Sequence, residues 1–469
     1  MMISTVRRFS LVALVLALGV GMALSGVSAL DWGGSLTTVN TVQTRPEGSD
    51  DPLFTNTERL TLYLNVPLGA RYTLETQGAA RLDANPLLLA ADVERFYLQR
   101  TRNPQQGNLS EFVTRLGRLT IADPAGVVVR QTVDGAALVL RYPRAEVGMS
   151  AGYTGFINKE FTSATMTLRD STDQEDDDIY FGPARVVGQG RVILRNLLAQ
   201  QTLSTALTFQ NDLRDPEKVA QAGDEQIELL QAGRELGGLL DTQYIQLMVD
   251  GPIPIGTMPG QLFHETAYVL NFGRTLSLVD DDTVPSGSSY QYKPIRGHLA
   301  KVSLNYFLPD LLGTYAGLGV MFSSGDSSYL SFTEGNRSDV STMFTPMTPT
   351  ASGVVFAANP GNITVLEVFY SLRPLENENS PFLNTLQTQV AWYSFFRSAG
   401  SGAVSSSDID PASSATYIGS EVDLIARFRP YSDFGFGVST GLFFANGSAL
   451  AEGANDVDVL VRLDASLSF

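Results

Sequence analysis

Hydrophobic and polar positions alternate through the last segment of the chain, from Asp456 to Phe469. Every second residue of this segment is apolar, namely Val457, Val459, Val461, Leu463, Ala465, Leu467 and Phe469. The residues between them are all polar except Leu460. A period of two predicts a β-strand with one apolar and one polar face. Because a tilted strand crosses a bilayer with about 9–11 residues, this segment is long enough to span a membrane.

The same period of two recurs along the chain. In the first clear hairpin, Leu60, Leu62 and Leu64 oppose polar neighbours, and a short turn at 67–70 leads into a second alternating segment. Besides the two segments of this hairpin and the end segments 31–41 and 456–469, fourteen further segments show the same alternation: 93–102, 111–122, 135–142, 145–155, 190–198, 202–212, 241–250, 261–272, 297–308, 314–323, 362–373, 384–397, 416–429 and 432–444. We therefore predict eighteen strands, with sixteen as the alternative count. Segment 261–272 is compatible with either register, so its two faces are not assigned.

The connections between these segments alternate in length. The odd-numbered connections are long: 42–55, 79–92, 123–134, 156–189, 213–240, 273–296, 324–361, 398–415 and 445–455. The even-numbered ones are short: 67–70, 103–110, 143–144, 199–201, 251–260, 309–313, 374–383 and 430–431. Long outer loops and short periplasmic turns are typical of outer-membrane barrels. The chain is therefore predicted to be all-β, a transmembrane antiparallel up-and-down β-barrel that ends in a strand with a C-terminal Phe.

The N-terminus has the features of a secretory signal peptide. Arg7 and Arg8 precede an apolar run from Leu11 to Leu24, and small residues at 27–29 suit cleavage. We therefore divide the chain into a signal peptide, 1–29, and a barrel, 30–469. No later stretch reaches 18 uninterrupted apolar residues, and a closed barrel is the alternative to helices for spanning a bilayer. The predicted location is the bacterial outer membrane, with its lipids as partners.

Composition excludes several other classes of function. The formal net charge of −17 argues against a nucleic-acid partner. Cysteine is absent, which excludes disulfides and thiolate metal sites. His264 and His298 are the only histidines, and neither has the spacing of a catalytic triad or of a metal site. We predict no enzymatic activity, no metal and no cofactor.

Charged residues on the predicted polar faces are candidates for lining a water-filled lumen. Ten basic residues fall there, among them Lys301, Arg427, Arg429 and Arg462, against six acidic residues that include Glu421 and Asp423. Charges on a lumen wall tune what passes a pore, so a net basic lining would favour anionic solutes. The alternative is that these residues pair across strands and only fill the interior.

Two stretches resemble the alginate-export and related large outer-membrane porins. One is Gly117-Arg118, followed by Val133-Asp134-Gly135-Ala136 and Leu138, and the other runs from Tyr417 to Leu424 with Arg429-Pro430 after it. The resemblance implies an 18-stranded pore, narrowed by inward loops, that passes hydrophilic and often anionic solutes by diffusion. The predicted pore-lining or constriction residues are Arg118, Asp134, Glu421, Asp423, Arg427, Arg429, Lys301 and Arg462. The terminal Phe469 resembles the residue that the barrel assembly machinery reads in outer-membrane proteins.

The function predicted from the sequence is a porin, a passive channel for small hydrophilic solutes, with anionic solutes and acidic sugars as candidates. A surface adhesin or structural outer-membrane protein, whose barrel is only an anchor, is the alternative. A third hypothesis is an outer-membrane barrel enzyme.

Overall fold

The computed structural model describes residues 30–44, 53–84, 87–104, 107–214, 239–280, 288–329, 340–380 and 383–469. The predicted signal peptide lies outside the described residues and stays a prediction. Within these ranges, no helix has the length and apolar character needed to cross a membrane.

Eighteen antiparallel strands make a single closed sheet. They are β1 Asp31–Gln43, β2 Leu53–Pro67, β3 Tyr72–Ala84, β4 Leu87–Arg102, β5 Glu111–Ala122, β6 Arg130–Arg141, β7 Ala145–Tyr153, β8 Arg185–Leu194, β9 Thr202–Asp212, β10 Leu240–Ile253, β11 Gln261–Asp280, β12 Ser288–Leu308, β13 Thr314–Ser323, β14 Ile363–Leu372, β15 Gln387–Arg397, β16 Tyr417–Phe428, β17 Phe434–Ala445 and β18 Val457–Ser468. Each strand pairs with the next, and β1 pairs with both β2 and β18. The predicted 18-stranded up-and-down barrel is confirmed.

The alternation seen in the sequence separates the two faces of the wall. On the closing strands, Leu36 lies opposite Leu60 on one side and Leu467 on the other, all on the outer face. Large apolar side chains remain exposed around this outer face, for example Leu116, Met149, Leu207, Leu247, Val302, Leu318, Trp392, Leu424 and Leu463. An exposed apolar band with a polar interior is the arrangement that a membrane-spanning barrel requires.

Two of the predicted long connections are wrong. The prediction of a loop at 79–92 fails because β3 continues to Ala84 and β4 begins at Leu87. Likewise β11 and β12 extend far into the predicted loop at 273–296, ending at Asp280 and beginning at Ser288. Their mutual backbone pairing stabilises these extensions, and pairing between strands is not visible in the alternation of one strand.

Three outer connections meet inside the outer half of the barrel: the 123–129, 154–184 and 324–362 loops, the last of which is described at 324–329 and 340–362. The Met347 amide donates to the Val128 carbonyl at 2.8 Å, and the Thr165 amide donates to the Met347 carbonyl at 2.8 Å. Apolar side chains from the 123–129 and 324–362 loops and from the facing strands pack into one buried cluster, which includes Leu119, Val128, Val133, Tyr244, Val269, Leu299, Phe344 and Met347. The loops therefore fill part of the lumen. The 154–184 loop also contains the short helix α1, Leu168–Glu175.

At β4 and β5 the wall has a seam where neighbouring strands part. β4 and β5 pair only up to Phe96 opposite Arg118, although both strands continue toward the outer end. Gly117 permits the divergence because its φ of 127° favours glycine. A Cβ at this position would lie 2.2 Å from the Phe96 carbonyl oxygen.

The lumen as candidate functional site

A buried ion network anchors the 154–184 loop to the wall. Arg185 on β8 pairs with Asp170 of α1 and with Asp212 of β9, and all three side chains are almost fully buried. Arg214 joins the network, 2.6 Å from an oxygen of Asp170 and 2.6 Å from one of Asp212. Burial lowers the pKa of Arg214, but the hydrogen bond that Arg214 donates to Asp212 and the charge of Asp170 outweigh this effect and raise the pKa above its ordinary value. Arg214 therefore stays charged.

From this anchor the 154–184 loop reaches across the inner face of β2–β4. The Arg81 guanidinium donates to the Glu160 carbonyl at 2.8 Å and lies over the Phe161 ring, 5.9 Å from its centroid. The Asn158 amide donates to a carboxylate oxygen of Asp92 at 2.8 Å. These contacts fix the tip of the loop inside the barrel.

The structure brings the predicted residues Arg118 and Asp134 together at the β4–β5 seam. The Arg118 guanidinium donates to both carboxylate oxygens of Asp134 at 2.9 Å, in a forked geometry. It also contacts Asp92 at 2.7 Å and donates to the Phe156 carbonyl at 2.9 Å. With all these partners the Arg118 side chain is only 12% exposed. Arg118 therefore links two diverging strands and the 154–184 loop.

Glu421 on β16 holds the 324–362 loop. Its fully buried carboxylate accepts from three consecutive backbone amides, at 2.8 Å from Val355 and 2.9 Å from Phe356, with Val354 as the third. Gly353 precedes them at a φ of 83°, and a Cβ there would lie 2.7 Å from a Glu421 oxygen. A carboxylate bound to several amides is a strong, charge-assisted contact.

Aromatic stacking supports the same contact. The Phe356 ring stacks on Phe443 with a centroid distance of 4.6 Å and lies 4.8 Å from the Phe395 ring. The loop therefore has both a polar and an apolar attachment to the wall.

Asp423 and Arg462 lie beside this attachment. Asp423 is two residues beyond Glu421 on the same face of β16 and is buried. A Cβ on the neighbouring Gly441 would lie 2.5 Å from an oxygen of Asp423, so this glycine makes space for the carboxylate. Arg462 is half-buried on β18, and its Nε has no hydrogen-bond partner within the described residues.

Arg427 and Arg429 line a cavity of about 880 Å³ at the turn end of the barrel. The turn end is the end of the barrel that carries the short even-numbered connections, and it is also where β1 begins and β18 ends. Arg373, Glu376 and Asp464 complete the charged lining of this cavity. Within the part of the chain that the structure describes, Arg427 is exposed and has no ion pair.

A second cavity, of about 580 Å³, lies against β1–β4. Its lining includes Arg59, Glu94, Gln77 and Tyr63, and Arg59 and Glu94 form an ion pair with each other. Lys301, the remaining predicted residue, pairs with Glu265 at 2.7 Å on the inner face of β12 and β11.

Sequence reasoning missed the residues that position the loops. Arg185 and Asp170 carry no local signal, because their pairing depends on a loop folding back against the wall. It also missed inward-facing aromatic residues on β11–β14, of which Phe263 lies in the segment whose register the alternation did not assign.

No protein-family profile and no curated protein matches this chain. Solved structures do match its fold. OccK11 (OpdR) of Pseudomonas aeruginosa is 12% identical with a TM-score of 0.55, covering 94% of this chain and 96% of that chain. The outer membrane protein OpdK of P. aeruginosa is 10% identical with a TM-score of 0.54, covering 94% and 99%. OccAB1 of Acinetobacter baumannii is 9% identical with a TM-score of 0.55, covering 94% and 97%. At these identities the likeness shows the fold. OpdK has also been crystallised with vanillate.

Proposed function

We propose that this protein is a passive channel of the bacterial outer membrane for small hydrophilic solutes. The observation that carries the proposal is the closed barrel, with an apolar outer face and a charged lumen narrowed by three bound loops. A barrel that served only as an anchor needs no exposed charges along its interior. Here Arg427 and Arg429 line an open cavity at the turn end.

The solute class we propose within this function is an organic anion, acidic sugars included. Three arginines, Arg373, Arg427 and Arg429, lie around the turn-end cavity against the two acidic residues Glu376 and Asp464. Lumen charges of one sign attract counter-charged solutes. Arg118 and Asp134 would affect permeation indirectly, by fixing the 154–184 loop. The vanillate bound by OpdK is a suitable first probe.

Insertion is proposed to use the C-terminal residue as the signal for the barrel assembly machinery. Phe469 is exposed, and its backbone pairs with Gly34 on β1. The terminal ring therefore lies at the junction where the barrel closes.

Single-channel recording in a planar lipid bilayer tests the proposal. The purified protein is expected to give steady conductance steps. In a salt gradient, its reversal potential is expected to show that anions pass more readily than cations. Electrical silence would contradict the channel. Steady steps with a reversal potential that shows cation selectivity would contradict only the proposed preference for anions.

A further inference from the structure

Aromatic side chains face the lumen near the turn end of β11–β14. Phe263, Phe307 and Tyr315 are 38%, 37% and 36% exposed. Phe369 adjoins them, with its ring centroid 5.1 Å from that of Tyr315. We name these four residues, on four consecutive strands, the aromatic arc.

The alternation of β12 and β13 places the arc on the inner face. Phe307 shares a face with Lys301 and with Leu299, which is buried against the inward loops. The opposite face of β12 carries the exposed Val302 and Leu304. On β13, the Phe369 ring covers the inner face of Gly317, where a Cβ would lie 2.2 Å from the ring. The arc is therefore distinct from the lipid-facing aromatic residues.

Exposed aromatic surface is unusual inside a barrel. The interior of a water-filled barrel is typically polar, and each exposed Å² of apolar surface costs about 25 cal/mol. Within the described residues, the inward loops pack against the wall elsewhere and leave Phe263, Phe307 and Tyr315 over a third exposed. A contiguous exposed apolar surface in a concave site marks a binding surface.

The polar groups around the arc suit a solute with hydroxyl groups. Gln261 and Asn305 lie on the same inner face, and within the described ranges their amides make no side-chain hydrogen bond. The Glu367 carboxylate accepts from the Tyr393 hydroxyl at 3.2 Å and has capacity to accept more. Lys301, the one cation among these groups, is already paired with Glu265. The surroundings therefore offer amide and carboxylate acceptors and do not attract an anion.

We propose that the aromatic arc is a subsite for a neutral sugar in its ring form. The flat apolar face of a pyranose would lie on Phe263, Phe307 and Tyr315, and its hydroxyl groups would bond to Gln261, Asn305 and Glu367. This subsite is separate from the arginine-lined cavity of β14–β18. The inference rests on the proposed channel function.

Current block in the planar bilayer tests the subsite. Glucose added to the wild-type channel is expected to reduce the ionic current, because a bound sugar occupies the lumen. Sorbitol is the matched control, since it has similar size and hydroxyl content but no ring face. It is expected to block much less. The double variant Phe263→Leu/Tyr315→Leu keeps apolar bulk without flat rings. Its half-blocking glucose concentration is expected to rise about twofold or more, from the usual strength of aromatic contacts.

Tyr315→Phe is the conservative variant, because it keeps the ring, and it is expected to retain glucose block. The conductance step without sugar reports that each variant has folded and inserted. Equal block by glucose and sorbitol would overturn the proposal, as would a glucose response unchanged in the double variant. Choline chloride tests whether the aromatic arc binds organic cations instead of sugars. The proposal would also be overturned if choline, but not glucose, blocked the wild-type channel and the double variant lost that block. Absence of any conductance in the wild-type protein would instead contradict the channel function.

Discussion

The outer half and the turn-end half of the lumen differ in how their charged residues are used. In the outer half, a group of charges is buried in ion pairs, as in the pairing of Arg185 with Asp170 and Asp212. At the turn end, Arg427 is exposed and without an ion pair within the described residues. Charged groups that are buried in pairs fix geometry, whereas exposed ones remain available to solutes. The difference supports the proposed function, in which the outer half shapes the pore and the turn end contacts the solute.

The two halves also differ in their aromatic residues. Phe356, Phe395 and Phe443 in the outer half pack against one another and attach a loop to the wall. Phe263 and Tyr315 at the turn end present their rings to the lumen. The same residue type is therefore structural in one half and available for binding in the other.

The largest effect is expected from breaking the buried network of the outer half. Arg185→Ala removes a positive charge that neutralises the buried carboxylates of Asp170 and Asp212. The free energy of unfolding should therefore fall by about 3–5 kcal/mol. Thermal unfolding of the detergent-solubilised barrel, followed by its β-sheet circular dichroism signal, measures this change.

The exposed pair of Arg373 with Glu376 provides the control. Their side chains are 53% and 36% exposed, and the closest nitrogen and oxygen lie 3.9 Å apart. An exposed pair contributes about 0–1 kcal/mol, so Arg373→Ala should unfold near the wild-type temperature. Equal losses in the two variants would refute the assignment of a special role to the buried network.

An intermediate effect is expected from releasing the 324–362 loop. Glu421→Gln removes the charge that three backbone amides share, and a hydrogen bond to a charged group contributes about 1.5–3 kcal/mol. The loop should then leave the wall part of the time, and single-channel recordings should show higher and noisier conductance. Glu58→Gln removes an exposed carboxylate elsewhere and should leave the current unchanged. A quiet channel of wild-type conductance in Glu421→Gln would show that Glu421 does not hold the loop.

The smallest effect is expected at the turn end. Arg427→Gln removes one of three arginines around the cavity, so the reversal potential in a salt gradient should shift slightly toward the cation side without loss of stability. Arg296→Gln, on the exposed outer face, should not shift it. A shift of the same size in both variants would mean that the turn-end cavity does not determine selectivity.

Much of the barrel could be predicted from the sequence, because alternation with a period of two is a local property of each strand. It gave the number of strands, the antiparallel order and, for β2 and β18, the inward and outward faces. It failed for the extent of β3, β4, β11 and β12, where pairing with a neighbour continues through segments whose own pattern is weak.

The candidate site was less predictable for a related reason. The alternation identified Glu421 and Arg427 as charged residues of the same strand, six positions apart, but it could not distinguish their surroundings. The tertiary structure places three loop amides on Glu421 and leaves Arg427 in an open cavity.

The sequence by itself determined that this protein forms a closed, lipid-facing cylinder, because each strand carries its own division into an apolar and a polar face. Only the tertiary structure decided which loops enter that cylinder and which charges remain free inside it. Those contacts join residues distant in the chain, such as Glu421 with Val355 and Gln131 with Met347. Their formation depends on where the loops fold, and no local pattern encodes that.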